Sequence, residues 1–427
     1  MSLVGIMPLS PIREITDVEV RPLEPCLPAE TRAVGLENGG DLNFNGVETQ
    51  HATHSMHPYV AAINPPLAAS LISHYVPKGE VILDPFCGGG GVLVEAFLQG
   101  RRAVGCDVNP LAVLMTQAKT THLPSGRMLH LYMSIVGETE RLARRISVDE
   151  VPDVIRFWYR DDSLPPLKAL QTVVRRIEDE THRRLFQTIL SATARDVMLT
   201  YRGEIRLRKL QGSDLERFQP NVFAAFKRRA LMAIKSVSEF PAGSRAEVFT
   251  MDCRKLTRQQ ACHTVITSPP YGDDKNGVGY FQFSRNMLFW IGVSLEEQKR
   301  QREAFLGCGA DAHTKAAASK TLHRTLAVIR ERKAAHHREA ANFYADYLDG
   351  LKQIASVAQE RVIIVIGDRV LSRTRINNGH ITTDFMRELG WGLEHYYTRQ
   401  LTKKRIANLG GDGGGISLEH VMVFRRP

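Results

Sequence analysis

The stretch VILDPFCGGGGVLVEAFLQGRRAVGCD, residues 81–107, determines the class of fold. It begins with a short apolar run, which is typical of a strand buried on both faces. Four glycines at 88–91 then form a turn, and the pattern predicts a helix over Val92–Gln99 that ends at Gly100. A second apolar run ends in Asp107. A strand, a glycine-rich turn, a helix and a second strand are the beginning of a doubly wound parallel sheet.

Segments on both sides extend this pattern. Before it, apolar residues at helical spacing predict a helix from Pro65 to Tyr75. After it, buried-strand runs are predicted at Ala246–Thr250, Val265–Thr267, Arg361–Ile366, Glu394–Arg399 and Glu419–Phe424, with a helix at Thr382–Leu389. The predicted fold class is therefore α/β, a Rossmann-like sheet that is mostly parallel and carries helices on both faces.

Composition narrows the class of protein and the kind of partner. The 427 residues carry a net charge of +10, which favours an anionic partner, and nucleic acid is the commonest one. No segment approaches the roughly twenty apolar residues of a membrane span, and the N-terminal residues lack the apolar run of a signal peptide. The six cysteines form no C-x-x-C pair, so we expect reduced thiols and a cytoplasmic location.

Three features at strand ends predict a nucleoside-binding pocket. The glycine turn lets the backbone pass close beneath a ligand, and the helix behind it offers free N–H groups to a carboxylate. Asp107, at the end of the next strand, can accept hydrogen bonds from ribose hydroxyls. Asp252-Cys253 follows a further strand and is placed for a third contact, typically to adenine. Any one of these could be an ordinary turn or helix cap, but three in consecutive turns favour a cofactor site.

The run Asp84-Pro85-Phe86-Cys87-Gly88-Gly89-Gly90 resembles the cofactor motif of class I, Rossmann-like methyltransferases. The resemblance implies S-adenosylmethionine as cofactor and S-adenosylhomocysteine as product, with Asp107 on the ribose and Asp252 on the adenine amine. The upstream His57-Pro58-Tyr59 resembles the segment that closes over the methionine end. The residues that the resemblance assigns to the cofactor are His57, Tyr59, Asp84, Phe86, Cys87, Gly88, Gly90, Asp107, Val108, Asp252, Cys253 and Thr267.

The run Ser268-Pro269-Pro270-Tyr271, directly after an apolar strand, suits methylation of an exocyclic base amine. The lone pair of such an amine is delocalised into the ring, so the nitrogen must pyramidalise before it attacks a methyl group. Two acceptors aimed at its hydrogens favour this change, and we assign them to Ser268 Oγ and the Pro269 carbonyl. The two prolines stiffen the loop, and Tyr271 offers a flat face on which a flipped base can stack.

This run resembles the catalytic motif of bacterial DNA amino-methyltransferases, and further similar segments extend the resemblance over residues 55–425, with 294–340 left uncovered. Serine at the first position resembles the cytosine-N4 branch, which implies DNA as substrate and base flipping with in-line transfer. An adenine-N6 DNA enzyme, an RNA enzyme of the tRNA guanine-N2 type and a non-catalytic DNA-binding module are the alternatives. A restriction endonuclease could act separately beside such an enzyme, and the sequence leaves the oligomeric state open.

The predicted organisation has four parts. They are an N-terminal arm at 1–50, the cofactor-binding half at 51–125, a basic and mainly helical insertion at 126–245, and the catalytic half at 246–427 with a charged insertion at 294–340. Both insertions are candidates for DNA contact. The basic residues singled out are the pairs Arg175-Arg176, Arg183-Arg184 and Arg228-Arg229, then Arg202, Arg206, Arg208 and Lys209, and Lys403, Lys404 and Arg405 before the glycine-rich loop at 410–415.

His51, His54 and His57, at a spacing of three, could be mistaken for a metal site. The sequence shows no cysteine or acidic residue close by to complete one, so we interpret them as incidental histidines in a loop. Methyl transfer needs no metal, and none is predicted.

Overall fold

The protein is described by a computed structural model that covers residues 42–201, 207–272, 279–308, 319–400 and 418–427. Several predicted features lie outside these residues. They are most of the N-terminal arm, Cys26, Arg202, Arg206, Lys403, Lys404, Arg405 and the loop at 410–415.

The described strands form one large sheet and one small hairpin. Their bounds are β1 (Val81–Asp84), β2 (Arg102–Asp107), β3 (Glu247–Thr250), β4 (Cys262–Thr267), β5 (Ala358–Gly367), β6 (Arg369–Leu371), β7 (Thr374–Ile376), β8 (Gly392–Gln400) and β9 (Leu418–Arg425). Every strand predicted from the sequence is present, and β6 and β7, which pair only with each other, were not predicted.

The large sheet has the order β3-β2-β1-β4-β5-β9-β8. Its first five strands are parallel, and β9 runs antiparallel to both β5 and β8. The chain leaves β1 toward one edge and later returns to form β4 on its other side, so the strand order reverses between β1 and β4. Ligands bind outside the carboxyl ends of the strands at such a reversal. The predicted α/β class with a mostly parallel sheet is confirmed.

Fourteen helices accompany the strands in the described residues. Their bounds are α1 (Pro65–Tyr75), α2 (Gly91–Leu98), α3 (Pro110–Lys119), α4 (Ser125–Ala143), α5 (Asp153–Arg156), α6 (Leu164–Arg175), α7 (Glu180–Asp196), α8 (Gly212–Arg217), α9 (Val222–Ser238), α10 (Tyr280–Trp290), α11 (Leu295–Arg302), α12 (Lys320–Arg332), α13 (Ala334–Val357) and α14 (Asn378–Glu388). Short 3-10 helices lie at Ala52–Met56, Asp161–Ser163, Cys253–Lys255 and Arg258–Gln260.

The central strands are apolar throughout because helices cover both faces of the sheet. On one face, side chains of α1 and α2, such as Leu67 and Val92, pack against Ile82. On the other face, aromatic side chains of α13 and α14, among them Tyr347 and Phe385, fill the core. These two layers fix the strand ends and therefore the loops that follow them.

The helices α4–α9 occupy the span predicted as a helical insertion and contain a hydrophobic core of their own. Phe186, Phe226 and Ile189 are fully buried there, and Trp290 of α10 joins them. The part of the chain between α7 and α8 contains the isolated antiparallel bridge Thr200–Lys209. A role of this region in DNA recognition stays a prediction.

The segment predicted as a charged insertion, 294–340, is partly core. Leu322 and Ile329 of α12 are fully buried, and Leu326 lies beside them. Within the described part of the chain no helix combines the length and the apolar character that crossing a membrane requires. Cys87, Cys106, Cys253 and Cys262 are buried free thiols, as expected.

Candidate active site

A cavity of about 890 Å³ opens at the carboxyl edge of the sheet. Residues at the ends of four neighbouring parallel strands line it, namely Asp84 as the last residue of β1, Asp107 as the last residue of β2, Asp252 after β3 and Ser268 after β4. Of the predicted site residues, the cavity is also lined by Tyr59, Phe86, Cys87, Gly88, Val108, Cys253 and Pro270.

The glycine turn fits closely between its neighbours. Gly88 and Gly90 have φ of 49° and 81°, in the left-handed region that glycine tolerates best. A Cβ on Gly88 would lie 3.1 Å from the Tyr59 ring, and one on Gly90 would lie 2.9 Å from Thr116 Oγ1. The turn therefore needs glycine at both positions, although Gly90 itself supports the wall from behind and does not line the cavity.

Asp107 is held in place by backbone donors. Its Oδ2 accepts a hydrogen bond from Gly88 N at 2.9 Å, and its Oδ1 accepts one from Asn109 N at 2.9 Å. Burial raises the pKa of Asp107 to about 6, against the opposing effect of these hydrogen bonds. The carboxylate is thus fixed in orientation at the cavity wall and retains lone pairs for hydroxyl donors, which suits the predicted ribose contact.

Asp84 and Thr267 connect the two central strands. Thr267 Oγ1 donates to Asp84 Oδ1 at 2.6 Å, and Phe86 N donates to the same oxygen at 3.1 Å. Burial raises the pKa of Asp84 to about 7. Thr267 is fully buried and does not line the cavity, so its contribution is to hold Asp84.

Asp252 lines the cavity but is already engaged by an arginine. Arg254 Nε donates to both carboxylate oxygens at 3.0 Å, and Arg254 Nη2 donates to Oδ2 at 2.7 Å. The same guanidinium forms an ion pair with Asp346 at 2.5 Å and donates to the Ala304 carbonyl at 3.1 Å. The predicted contact between Asp252 and an adenine amine stays a prediction, and Arg254 competes for the same oxygens.

The segment from Ala304 to Leu306 forms a further wall, which the sequence had not indicated. It belongs to the predicted charged insertion, yet it packs on the cofactor side of the site. Gly307 N donates to Asp346 Oδ2 at 2.8 Å, so Asp346 fixes this segment and Arg254 together. Only the tertiary structure brings residues so far apart in sequence into one wall.

The predicted catalytic loop, Ser268–Tyr271, places Ser268 and Pro270 in the cavity wall. Ser268 Oγ is buried and forms no hydrogen bond with any described residue. Tyr271 lies away from the cavity, because its ring is buried and its hydroxyl donates to Glu419 Oε1 at 2.6 Å. In this arrangement Tyr271 anchors the loop to β9. Its buried ring offers no exposed face for the predicted stacking on a base.

The upstream segment reaches the cavity through Tyr59 and not through His57. His57 is buried, its Nδ1 bonds to the Pro58 carbonyl at 2.7 Å and its Nε2 bonds to Ser191 Oγ at 2.9 Å. Burial lowers the pKa of His57 to about 3, so the ring is neutral and supports the wall from outside. The Tyr59 hydroxyl accepts a hydrogen bond from Asn109 Nδ2 at 3.0 Å.

Asn109 is a site residue that sequence reasoning missed. It caps α3 by accepting from Leu111 N at 3.1 Å, and its amide also donates to Ser284 Oγ at 2.7 Å. An asparagine followed by proline at a helix start was the available signal. Asn109 therefore joins the Asp107 turn, Tyr59 and helix α10 in one hydrogen-bonded unit.

The interpretation of His51 and His54 as incidental loop residues was wrong. Both bond through Nε2 to Glu95 Oε1, at 2.7 Å and 2.8 Å, and all three residues are buried. Glu95 is distant in sequence, so the acidic partner could not be seen near the histidines. The three groups are close enough to hold a metal ion, within 4.8 Å of one another, but they already satisfy one another by hydrogen bonds.

Most of the predicted arginine pairs in the helical region are bonded within the protein. Arg228 and Arg229 both bind Asp196, Arg229 with two nitrogens at 2.7 Å. Arg176 pairs with Glu138 and Arg184 with Glu180. These ion pairs stabilise the helices locally and neutralise part of the positive charge of this region. The number of arginines alone therefore does not indicate that the region contacts DNA.

The sequence matches known proteins in two ways. A family model of the N6/N4 methyltransferases, described as DNA methylase, matches residues 37–118. The type II methyltransferase M.MvaI of Kocuria varians is 23% identical over 407 residues, which cover 87% of this chain and 88% of that one. The type II methyltransferase M.MjaII of Methanocaldococcus jannaschii is 24% identical over 120 residues, or 27% of this chain and 23% of that one.

A shorter similarity connects the chain to RNA enzymes. The tRNA (guanine(10)-N2)-dimethyltransferase of Methanothermobacter thermautotrophicus is 42% identical over 65 residues, which are 15% of this chain and 19% of that one. The similarity is thus high but confined to a small part of both chains, whereas that to M.MvaI extends over nearly the whole length.

The cavity has the groups that S-adenosylmethionine requires. Asp107 presents a fixed carboxylate, glycines leave room beside Tyr59, and the N-terminus of α2 lies behind the turn without a capping side chain. When bound, S-adenosylmethionine supplies a methyl group made electrophilic by its sulfonium. The family model over residues 37–118, the relative that is similar over nearly the whole length and the assembled site agree, and together they support a DNA amino-methyltransferase.

Proposed function

We propose that the protein methylates the exocyclic N4 amine of cytosine in DNA. Serine at the first position of the Ser-Pro-Pro-Tyr loop is the feature that favours cytosine over adenine. The observation that carries the proposal is the state of Ser268, whose hydroxyl is buried at the cavity wall and bonded to no described residue. A buried polar atom without a partner costs free energy unless a ligand provides one.

The chain's own residues would prepare the amine for attack. Ser268 Oγ and the Pro269 carbonyl are the proposed acceptors for the two amine hydrogens, which returns the lone pair to nitrogen. The loop that carries them is held from behind, because the Tyr271 hydroxyl donates to Glu419 and Asn378 Nδ2 donates to the Tyr271 carbonyl at 2.9 Å. Catalysis would then come from positioning two groups in line.

Covalent catalysis by a cysteine does not suit this site. Cys87 follows Phe86 within the glycine turn, and burial together with the neighbouring Asp107 and Asp84 raises its pKa well above the ordinary value. A thiolate is the nucleophilic form of cysteine, and such a pKa disfavours it. Direct transfer to the amine nitrogen is therefore the proposed route.

The deciding experiment identifies the methylated base. The purified protein is incubated with S-adenosylmethionine and unmethylated bacterial DNA, which is then digested to nucleosides and analysed by mass spectrometry. We expect N4-methyldeoxycytidine. N6-methyldeoxyadenosine would keep the chemistry but overturn the choice of base.

RNA is the second candidate substrate because of the local similarity to tRNA guanine-N2 enzymes. The same assay with bacterial tRNA in place of DNA tests it. N2-methylguanosine from tRNA, with no methylated deoxynucleoside from DNA, would favour the RNA function over the proposed one. S-adenosylhomocysteine binding without turnover on either substrate would instead indicate a binding module.

A further inference from the structure

Lys119, the last residue of α3, is buried beside the glycine turn and has no role in the site as described so far. Its side chain is nearly inaccessible, with 3% of the residue exposed. Its Nζ donates to the Gly89 carbonyl and to the His57 carbonyl, both at 3.0 Å. One amine thus connects the glycine turn to the segment that carries Tyr59.

These two walls meet at one end of the cavity. Tyr59, Gly88 and Gly89 all line it. A Cβ on Gly89 would lie 2.9 Å from Tyr59 Cβ, so the turn and the tyrosine are in close contact. This is also the end at which the N-terminus of α2 lies, where N–H groups favour an anion.

The ammonium of Lys119 has no ion-pair partner among the carboxylates of the residues that the structure describes. Its two acceptors are neutral carbonyls. Glu95, a buried acidic side chain on neighbouring α2, is engaged by His51 and His54. A buried cation without a counter-ion is costly, and an anionic ligand beside it would offset that cost.

We propose that Lys119 is a positioning residue for the cofactor, whose ammonium provides the positive charge for the carboxylate of the methionine portion. It acts across the Gly89 peptide by holding the turn in place and by its electric field. The inference depends on the use of S-adenosylmethionine and is independent of which base is methylated.

Protonation of Lys119 then couples to cofactor binding. Burial lowers the pKa of Lys119 to about 7, and a bound carboxylate favours the charged amine and raises this pKa. The contribution of Lys119 to binding should therefore be an uptake of protons near pH 7. The titratable groups that interact electrostatically with Lys119 are His54 and His57. The other buried titratable or charged groups in this part of the molecule are Glu95, Arg195, Arg229, Asp84 and Asp107.

Two of these groups change protonation in the opposite direction. Asp84 and Asp107 have pKa values raised by burial to about 7 and about 6, and hydrogen bonds from ribose hydroxyls would favour their ionised forms. Their contribution is proton release, whereas that of Lys119 is proton uptake. His57, with a pKa of about 3, remains neutral throughout.

The first test uses two ligands that differ in the carboxylate. S-adenosylhomocysteine carries the amino-acid portion, and 5′-methylthioadenosine lacks it. Lys119→Met should weaken the binding of S-adenosylhomocysteine by about 10- to 100-fold, as expected for loss of a buried charge. The binding of 5′-methylthioadenosine should weaken by less than about twofold. Equal weakening of both ligands, or of neither, overturns the proposal. Lys352→Met, at a half-exposed position of α13, is the matched control.

The second test is calorimetry of S-adenosylhomocysteine binding at pH 7 in two buffers of different ionisation enthalpy. Since about half of Lys119 is neutral at a pH equal to its pKa, we expect the wild type to take up about half a proton more than Lys119→Met. No difference in proton uptake contradicts the proposal. If Lys119→Met does not fold, the wild type alone decides: its preference for S-adenosylhomocysteine over 5′-methylthioadenosine must fall as the pH rises through about 7.

Discussion

The cofactor wall and the catalytic loop face one cavity but differ in how their polar atoms are satisfied. On the cofactor wall, Asp107 accepts from two backbone N–H groups. In the catalytic loop, Ser268 Oγ bonds to no described residue, although the loop itself is anchored through Tyr271. The polar groups of the cofactor side are therefore already hydrogen-bonded within the fold. The proposed acceptor of the loop, Ser268 Oγ, has no partner among the described residues. Binding and turnover should respond to different substitutions.

The largest expected effect separates turnover from binding. Ser268→Ala removes one acceptor for the base amine, and we expect turnover on DNA to fall by about 100- to 10,000-fold, the range typical of a group that assists proton movement. Affinity for S-adenosylhomocysteine, measured by calorimetry, should stay within about twofold. Ser70→Ala is the matched control, because Ser70 Oγ is also buried without a partner but lies in α1 away from the cavity. Unchanged turnover in Ser268→Ala would show that Ser268 has no part in turnover, and binding and turnover would then not be separated between the cofactor wall and the loop.

A second substitution tests the support behind the cofactor wall. Glu95→Gln leaves the buried His51 and His54 without an anionic partner, and we expect a loss of about 3 kcal/mol in the free energy of unfolding at pH 6. Burial alone would raise the pKa of Glu95, but the hydrogen bonds from both histidines outweigh it and lower that pKa. A depressed carboxyl pKa stabilises the fold above its unfolded value and loses this effect as the pH falls through the folded value.

The difference in stability between wild type and Glu95→Gln should therefore shrink below about pH 4.5, the ordinary pKa of a glutamate. Thermal unfolding followed by circular dichroism measures it, with Glu239→Gln at an exposed position as control. Added zinc that stabilised the wild type and not the variant would show that the three residues bind a metal ion.

A third substitution acts on the cofactor wall itself. Asp107→Asn keeps the shape of the side chain but removes its charge, so S-adenosylhomocysteine should bind about 10- to 100-fold more weakly. Because burial raises the pKa of Asp107 to about 6, the wild type should also lose affinity as the carboxyl becomes protonated below pH 6, and the variant should not. Calorimetry between pH 5 and 8 checks both. If the affinity for S-adenosylhomocysteine depends on pH in the same way in both proteins, Asp107 does not contact the ligand.

The smallest expected effect concerns the anchor of the catalytic loop. Tyr271→Phe removes the hydrogen bond to Glu419, but Arg399 Nε still donates to Glu419 Oε2 at 2.6 Å, so the carboxylate keeps a partner. The prolines and Asn378 continue to hold the loop, and turnover should fall by less than about tenfold, as for one neutral hydrogen bond. A loss as large as that of Ser268→Ala would show that Tyr271 acts on the base and not on the loop.

The sequence predicted those parts of the site that depend on local pattern. Asp84 and Asp107 each end a strand, Asp252 and Ser268 each follow one, and parallel strands bring their carboxyl ends to one edge. The order of strands and helices along the chain is therefore sufficient to group these four residues at one site.

The parts that sequence reasoning missed depend on pairs that are distant along the chain. Glu95 lies 44 residues from His51, and Tyr271 lies 148 residues from Glu419. A glutamate within the apolar helix GVLVEAFL did signal a buried charge that needs a partner. Which residues supply that partner follows only from tertiary packing. Arg254 neutralises Asp252, which is only two residues away, but its second ion pair, with the distant Asp346, again follows only from tertiary packing.

The position at which the helical region leaves the sheet has an evolutionary consequence. The region departs after α3, the helix that follows β2, and returns at the adjacent parallel strand β3, and His122 N donates to the Ser244 carbonyl at 3.2 Å across the junction. A segment whose two ends touch can grow, shrink or be exchanged with little change in loop-closure entropy and without displacing the strands on either side. The fold thus permits this region to diverge quickly, while the chemistry at the strand ends remains the same.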